Sequence, residues 1–265
     1  MLRYFISLFL ILGFAKIKAQ QKPIDLQPKD TVVYEQPYGI RVGIDLSRPI
    51  VSSFQDNYTG FEIVGDYRLT QKLYLAAELG NENKTRIEEL GGIDVPNDAQ
   101  LYDFTTSGSY LKLGVDYNTY ENWYGMNNSI FVGGRFAISS FSQTVDSFRF
   151  YESNRYWSRD QFAPGSTESQ EFSGRTQSWI EFVFGTKVEL FANIYLGGSI
   201  RLGFLFSDPN VEPFPNLFIP GFNKVTEGSK FGVGYNYSIS YLIPLYKKAK
   251  KPEETEEQEP EPTNN

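Results

Sequence analysis

The 265-residue sequence contains neither cysteine nor histidine. Without cysteine the chain cannot form disulfides or carry a cysteine-linked lipid. It also cannot build a metal site from cysteine or histidine ligands, and it lacks the commonest general base of enzymes. Serine or aspartate acting with lysine would be an alternative, but no such constellation is evident. We therefore predict no catalytic residue, no metal and no cofactor, and interpret the acidic segments Glu82–Glu89 and Asp94–Asp98 as solvated loops.

The chain also has few long apolar runs. Its mean hydropathy of -0.37 is too polar for a bundle of membrane helices. The longest apolar run, Tyr4–Ala15, follows Arg3 and precedes Lys16. A basic start, an apolar core and a small residue before a polar segment are typical of a secretory signal peptide. We predict a signal peptide over residues 1–19. A plain membrane anchor is the alternative, although the run is short for a membrane span.

Positive charge is scarce in the remaining chain. The formal net charge is -7, and removing the three positive residues of the signal peptide takes it to -10. Binding to nucleic acid phosphates requires a basic surface. We therefore predict that nucleic acid is not a partner.

Aromatic residues and glycine are frequent, at 16% and 23 residues. The hairpin Gln177–Ser207 shows the pattern that organises them. In its first strand Phe182 and Phe184 alternate with Glu181 and Val183, the period of two that a pleated strand imposes. Each of its two runs spans about ten residues, roughly what a tilted strand needs to cross a membrane.

Similar alternation recurs along the chain and predicts eight strands. Connections are long after the first, third, fifth and seventh strands and shorter after the others, which is typical of outer-membrane barrels with an even strand number. The predicted strands are Gly39–Arg48 (ended by Pro49), Gly60–Leu69, Leu73–Asn81, Ser107–Tyr117, Ser129–Ser139, the two runs of Gln177–Ser207 separated by Phe191–Ile194, and Lys230–Leu245.

We therefore predict an all-β fold, an eight-stranded antiparallel up-and-down transmembrane β-barrel over residues 38–246. A flexible leader over 20–37 would precede the barrel, and a disordered charged tail over 247–265 would follow it. With eight strands, the first strand begins and the last strand ends on the side of the short turns, so both chain termini lie there. In an outer membrane that side is the periplasm.

Alternation does not by itself say which face points inward, because a soluble lipocalin-like barrel has the opposite arrangement. Here the polar face is rich in glycine and carries six positive and seven negative residues, a balance that a packed interior requires. Aromatic residues near strand ends, including Trp179 and Tyr195, are interpreted as membrane girdles. The predicted interior charge network comprises Arg41, Asp45, Glu62, Asp66, Arg68, Glu78, Lys112, Asp116, Arg135, Glu181, Lys187, Glu189 and Arg201.

This architecture, over Gly39–Tyr246, resembles the small outer-membrane barrels of the OmpA transmembrane domain, OmpX and OmpW type. It is most similar to outer-membrane barrel proteins of Bacteroidota, whose signal peptides often end in Ala-Gln, as Ala19-Gln20 does. The resemblance implies a bacterial outer-membrane location with lipid as the surrounding partner. Many such proteins end at an aromatic residue, whereas nineteen residues follow Tyr246 here.

Two loops are candidates for contacts with an envelope protein. One contains Arg149, Tyr151, Tyr156 and Trp157, and the other, which is apolar and rich in proline, contains Phe214 and Phe218. Capping of the barrel is the alternative for the second loop. The main functional prediction is a non-enzymatic structural or accessory subunit that engages another envelope component through its loops or tail. The alternative is a narrow channel for ions or small hydrophobic solutes, as the OmpW resemblance would imply.

Overall fold

The computed structural model describes residues 35–89, 100–120, 127–151, 162–206, 214–224 and 230–249. All of them belong to one compact unit, Tyr34–Asn265, while a second unit, Met1–Val33, lies outside the described residues. The predicted signal peptide, most of the predicted leader and the tail beyond residue 249 lie outside the described part of the chain.

The described chain contains eleven strands and one short helix. In chain order they are β1 Glu35–Asp45, α1 Ser47–Phe54, β2 Tyr58–Arg68, β3 Leu73–Glu89, β4 Gln100–Asn118, β5 Ser129–Tyr151, β6 Phe162–Ser166, β7 Gln170–Phe191, β8 Ile194–Leu205, β9 Phe218–Ile219, β10 Asn223–Lys224 and β11 Phe231–Ala249.

Eight of these strands close into a ring. Their order is β4, β3, β2, β1, β11, β8, β7 and β5, and pairing of β4 with β5 completes the circle. Every pairing is antiparallel. The predicted fold class, an eight-stranded antiparallel up-and-down barrel, is confirmed. The short strand β6 pairs with the far end of β5 and lies outside the ring order.

The two faces of each strand meet different surroundings. In β3, Leu75 and Leu79 are 46% and 54% exposed, whereas Glu78 between them is 5% exposed. Apolar side chains on the other seven strands are exposed in the same way, including Ile180, Phe182 and Phe184 of β7. Because successive side chains of a strand point to opposite faces, the polar set is turned into the barrel. The outside carries a continuous apolar belt.

Four neighbouring strands, β3, β4, β5 and β7, extend well beyond their predicted bounds, and we call them the tall half. The connections predicted after Asn81 and after Ser139 are mostly strand where the structure describes them, since β3 reaches Glu89 and β7 begins at Gln170. Above the apolar belt the outward residues become polar, as in the cross-strand pair of Asn81 and Ser109. The alternation on which the sequence prediction depended disappears there, although the ladder continues.

The remaining strands, β8, β11, β1 and β2, form the low half, and a helix interrupts it. β1 ends at Asp45 rather than at Arg48, and Pro49 lies in the first turn of α1, where its missing N–H costs nothing. Asp45 Oδ1 accepts a hydrogen bond from the Ser47 N–H at 2.8 Å, and Asp45 Oδ2 accepts one from the Ser47 hydroxyl at 2.6 Å. Across the described residues, no helix combines the length and apolarity needed to cross a membrane.

The two ends of the barrel differ. The first and last strands, β1 and β11, pair with each other, and at the short-turn end Glu35 pairs with Ala249. The pairing extends three residues past each predicted barrel boundary. At the same end the β7–β8 hairpin turns at Ala192 and Asn193, with φ of 48° and 66°, the backbone of a type I′ turn.

The opposite end is filled by residues 214–224, which we call the plug. The plug folds back as the two-stranded hairpin β9–β10, turning at Gly221 with φ of 81°. Ile219 and Phe222 pack inside the ring against Tyr110 and Trp179. Phe214 and Phe218 pack with Phe104 and Val145 of the tall half. The apolar core of the molecule therefore lies inside the barrel, between the plug and the inner face of the long strands β4, β5 and β7.

Candidate functional site

The middle of the barrel is crossed by ion pairs between strands that are far apart in sequence. Glu78 accepts hydrogen bonds from Arg201 and from Arg135, the latter at 3.2 Å between Nε and Oε1. Lys112 Nζ lies 2.7 Å from Glu181 Oε1. These residues come from β3, β8, β5, β4 and β7, so one cluster joins five of the eight strands.

A second cluster lies nearer the short-turn end. Asp66 Oδ1 lies 2.8 Å from Arg41 Nε, and its Oδ2 lies 2.6 Å from Lys187 Nζ. Arg135 reaches Asp116 at 2.6 Å and thereby connects the two clusters. Each buried carboxylate thus has at least one cationic partner, the condition under which buried charges are tolerated.

The short-turn end is closed by Arg68. Its guanidinium donates to Gln36 and to Asn127 Oδ1, the latter at 3.1 Å, and it lies 4.5 Å from the centre of the Tyr38 ring. Asn127 in turn donates to the Tyr195 hydroxyl at 2.8 Å. Long polar side chains therefore fill the cross-section here as well.

The upper cluster involves α1. Arg48 Nη1 lies 2.6 Å from Glu82 Oε1, and the Tyr58 hydroxyl donates to the same carboxylate at 2.8 Å. Glu62 accepts hydrogen bonds from the Tyr110 hydroxyl and from Asn236 Nδ2, the latter at 3.0 Å. The helix thus contributes the cation that neutralises the carboxylates of β2 and β3.

Little free space remains among these side chains. A central cavity of about 30 Å³ is bordered by Arg41, Asp66, Glu78, Arg135 and Arg201. A water molecule needs roughly 10–15 Å³ measured this way, so the cavity has room for two or three waters. Among the described residues, this part of the interior is a packed polar core.

Glycines on the inner face make this packing possible. A Cβ on Gly80 would lie 2.3 Å from the Tyr110 ring, and one on Gly203 or Gly232 would lie within 3 Å of the Phe222 ring. Aromatic side chains occupy the volume that these glycines leave. A larger residue at these positions would displace either the plug or Tyr110.

The structure turns the predicted charge network inward. Eleven of the thirteen residues are buried, while Lys187 and Glu189, near the short-turn end, are partly exposed. Twelve of them, all but Glu189, lie in the hydrogen bonds and ion pairs described above or at the Asp45 corner.

The charged members of the interior that were missed include Arg48, Glu82 and Arg175, which contacts the plug. Glu82 was interpreted as a solvated loop residue, but it is 0% exposed. Continuing the inward period of β3 from Glu78 through Gly80 would have placed it inside. For Arg48 there was no such signal, because a helix and not a strand carries it.

Two further interpretations were wrong. Trp179 and Tyr195, assigned to membrane girdles, are 0% exposed and point into the barrel. Trp179 is two residues from Glu181, and Tyr195 is two residues from Gly197. Residues two apart on a strand point to the same face, and Glu181 and Gly197 were predicted to point inward. Trp179 Nε1 donates to Glu181 Oε1 at 2.7 Å, so the indole and Lys112 share this carboxylate oxygen.

The candidate contact residues have mixed positions. Arg149 is exposed on the extension of β5, whereas the Tyr151 side chain, Tyr156 and Trp157 lie outside the described residues. Phe214 and Phe218 are buried, which contradicts a role in docking a partner.

The plug is held by polar side chains of the tall half. Arg175 Nη2 donates to the carbonyl of Phe214 at 2.8 Å. Gln143 donates to the carbonyl of Pro215 at 3.0 Å and accepts from the N–H of Leu217 at 2.9 Å. These bonds satisfy the backbone of an irregular segment that lies away from water, as buried backbone groups require.

Among the described residues, no group of three or more aspartates and glutamates is arranged to hold a metal ion. The carboxylates of the interior instead form ion pairs with arginine and lysine and accept hydrogen bonds from tyrosine and asparagine.

A family model described as domain of unknown function DUF6048 matches residues 1–248. No curated protein matches the chain. Among solved structures, the chain is similar to Ail, the attachment invasion locus protein of Yersinia pestis, with a TM-score of 0.36 and 9% sequence identity over 80% of this chain and 99% of that chain. A likeness this distant says nothing about function.

Proposed function

The chain belongs to the DUF6048 family, and we propose that it is an integral outer-membrane barrel that acts as a structural or accessory subunit of the bacterial envelope. The observation that carries this proposal is the inverted arrangement of the barrel, with an apolar belt outside and a paired charge network inside. A water-soluble barrel would expose the charges and bury the apolar side chains.

The dimensions of the belt support a membrane location. On β7 the apolar outward residues run from Ile180 to Leu190. At roughly 3.3 Å per residue and a tilt near 40°, this run covers about 25 Å, the height of the apolar band of outer-membrane barrels. The predicted signal peptide over residues 1–19 would direct the chain to this compartment.

The orientation follows from the two ends of the barrel. The short-turn end, where β1 begins and β11 ends, would face the periplasm, as in outer-membrane barrels generally. The tall half would stand above the outer surface. The charged tail beyond residue 249 would then extend into the periplasm, where it offers a handle for an envelope protein.

The packed interior favours a structural role over transport. Conduction through this barrel would require displacing the ion pairs of Glu78, Asp66 and Glu82, which cross the lumen at three levels. Since these carboxylates are already paired with arginine and lysine side chains, we infer no catalytic role for them either.

Two experiments test the proposal. In planar bilayers, the refolded mature protein should show no reproducible unit conductance, and a conductance that an enlarged side chain at Gly80 abolishes would favour the channel. Affinity purification from the native outer membrane, with and without residues 250–265, should recover an envelope protein that depends on the tail. Recovery of the barrel alone in both cases would count against the accessory role.

A further inference from the structure

The wall of the low half is incomplete near its upper end. β1 pairs with β11 from Glu35 only as far as Asp45, opposite Ser238. Above this point, residues 232–237 of β11 pair with β8 on one side, and the described chain contains no strand on their other side. The first residues of β2, Tyr58–Glu62, likewise pair with β3 alone.

Helix α1 fills part of this gap from the β2 side. Ser52 Oγ accepts the N–H of Gly60 at 2.9 Å, and Arg48 turns inward to Glu82. Ile50 and Phe54, one turn apart, point outward and are exposed. The helix thus replaces a strand with one polar and one apolar side.

On the β11 side, side chains stand in for the missing ladder. Asp45 Oδ1 accepts the N–H of Tyr237 at 3.2 Å, and the backbone N–H of Leu46 donates to the carbonyl of Tyr237. Higher up, Asn223 of the plug donates to the carbonyl of Val233 at 2.9 Å. The wall here consists of the helix and the plug, side by side.

A cavity of about 380 Å³ lies at this place. Phe104 and Phe218 line it from within the barrel and are buried, whereas Phe231 and Val233 line it from β11 and are 72% and 66% exposed on the outer face. Because side chains of both faces border one space, the cavity opens from the interior towards the surroundings of the barrel. Its volume falls in the range of roughly 300–1,000 Å³ typical of small-molecule sites.

Among the described residues, little space lies between this cavity and the charge network. Below it, the Phe222 ring packs against Gly203 and Gly232, and the space remaining beside Arg48 and Arg201 is about 10 Å³. A molecule could therefore enter from the side and remain, but could not pass to the charge network.

Two cations lie at the upper edge of this apolar space. Lys84 Nζ lies 5.2 Å from the Tyr58 ring and 6.0 Å from the Phe218 ring, and Arg86 lies two residues further along β3. Burial, together with the positive charge of Arg86, lowers the pKa of Lys84. Arg86 is also paired with Glu88 at 2.9 Å on the exposed side. An anion at this edge would be attracted to both cations.

We propose that the cavity binds one acyl chain bearing an anionic headgroup, drawn laterally from the surrounding membrane, with the headgroup against Lys84 and Arg86. The chain would lie along Phe104, Phe218 and Val233. Both cations follow Asn81, where the outward face of β3 becomes polar, so in the proposed membrane location they would lie near the lipid headgroups. The proposal rests on the proposed membrane location for its route of entry.

A photoreactive fatty acid tests the site. The full mature chain, refolded into phosphatidylcholine vesicles, is irradiated with diazirine-bearing palmitate, and the crosslinked residues are mapped by mass spectrometry. Crosslinks should concentrate on the segments that contain Phe218 and Val233. Unlabelled palmitate should displace the probe, whereas methyl palmitate and inorganic phosphate should not.

Matched variants locate the binding. Arg86→Gln should reduce the crosslinking yield about two- to fivefold, the size expected from one partly exposed charge contact, whereas Arg149→Gln, an exposed arginine of the same end, should not. Val233→Trp should block the mouth and abolish the crosslinks. Val115→Trp, on the outer face of β4, should leave them unchanged.

Three results would overturn the proposal: equal crosslinking around the whole belt, equal competition by methyl palmitate, or binding that appears only after residues 225–229 are replaced by a glycine linker. The last result would show that residues 225–229 of the protein, and not an acyl chain, occupy the cavity. Resistance of the inserted barrel to protease is recorded in the same samples. Failure to insert would refute the membrane barrel, while insertion without crosslinks would refute only the lipid site.

Discussion

The tall half and the low half of the barrel are closed by different means. In the tall half, backbone pairing continues far along the strands despite register shifts at Asp103/Phe104 and Phe141/Gln143. Between β3 and β4 it is regular from Leu73 paired with Tyr117 to Glu88 paired with Tyr102. In the low half the ladder between β1 and β11 stops at Asp45, and α1, the plug and single side chains complete the wall. Backbone pairing tolerates most substitutions, whereas a wall built from side chains depends on particular residues. The low half should therefore be the more sensitive to mutation.

The largest effect is expected at Glu78, because this carboxylate serves both halves through Arg135 and Arg201. Glu78→Gln leaves two buried guanidinium groups short of a counter-charge and should destabilise the barrel by about 3–5 kcal/mol. Urea unfolding of the refolded protein in vesicles measures the change. Asn81→Gln, an exposed neighbour on the same strand, serves as the control and should differ little from wild type. Equal stability of the two variants would show that the network contributes nothing.

A similar loss is expected on the outer face if the belt meets lipid. Leu202→Arg, at the middle of β8, should cost about 2–4 kcal/mol in a bilayer. The same unfolding measurement applies, with Ser109→Arg above the belt as the matched substitution, which should cost much less. Tolerance of arginine at position 202 would mean that this face does not lie in the membrane.

The comparison between the halves is tested most directly at Asp45. Asp45→Ala removes the acceptor for the Ser47 and Tyr237 N–H groups, which should cost about 1–3 kcal/mol. Hydrogen exchange should become faster in α1 and in residues 232–237 of β11. Thr85→Val, which removes a cross-strand hydroxyl contact with Thr105 in the tall half, should leave exchange there nearly unchanged. Faster exchange in the tall half after Thr85→Val would break the comparison.

The smallest effect is expected at the short-turn end. Ala192 has a positive φ that alanine tolerates poorly. Ala192→Asn suits the first central position of a type I′ turn and should stabilise the barrel by about 0.5–1 kcal/mol. Thermal or urea unfolding detects the gain, and Asn193→Ala should shift stability in the opposite direction. A loss of stability in Ala192→Asn would mean that the turn is not type I′.

Much of this molecule could be predicted from period-two alternation, because a pleated strand sends successive side chains to opposite faces. The pattern was sufficient for the number of strands and for the inward direction of residues such as Glu78 and Arg201. It was misapplied at Trp179 and Tyr195, where residue type was given more weight than parity. It was lost at Asn81, where the outer face becomes polar and the strand nevertheless continues.

The candidate site was less predictable for a physical reason. A charged residue on the inner face needs a partner, but alternation does not say which of several strands supplies it, since that depends on the order and stagger of the closed ring. Glu78 thus pairs with arginines 57 and 123 residues away. The helix after Asp45 and the plug are short segments whose apolar residues follow no regular spacing, so neither could be predicted from alternation.

The sequence by itself determined the barrel, its apolar outside and its charged inside, because local alternation and composition encode them directly. Only the tertiary structure decided how the ion pairs connect, that α1 and the plug complete the low half, and that a cavity lies between them and β11. Those features arise where distant segments meet after the ring has closed, so no single stretch of the chain specifies them.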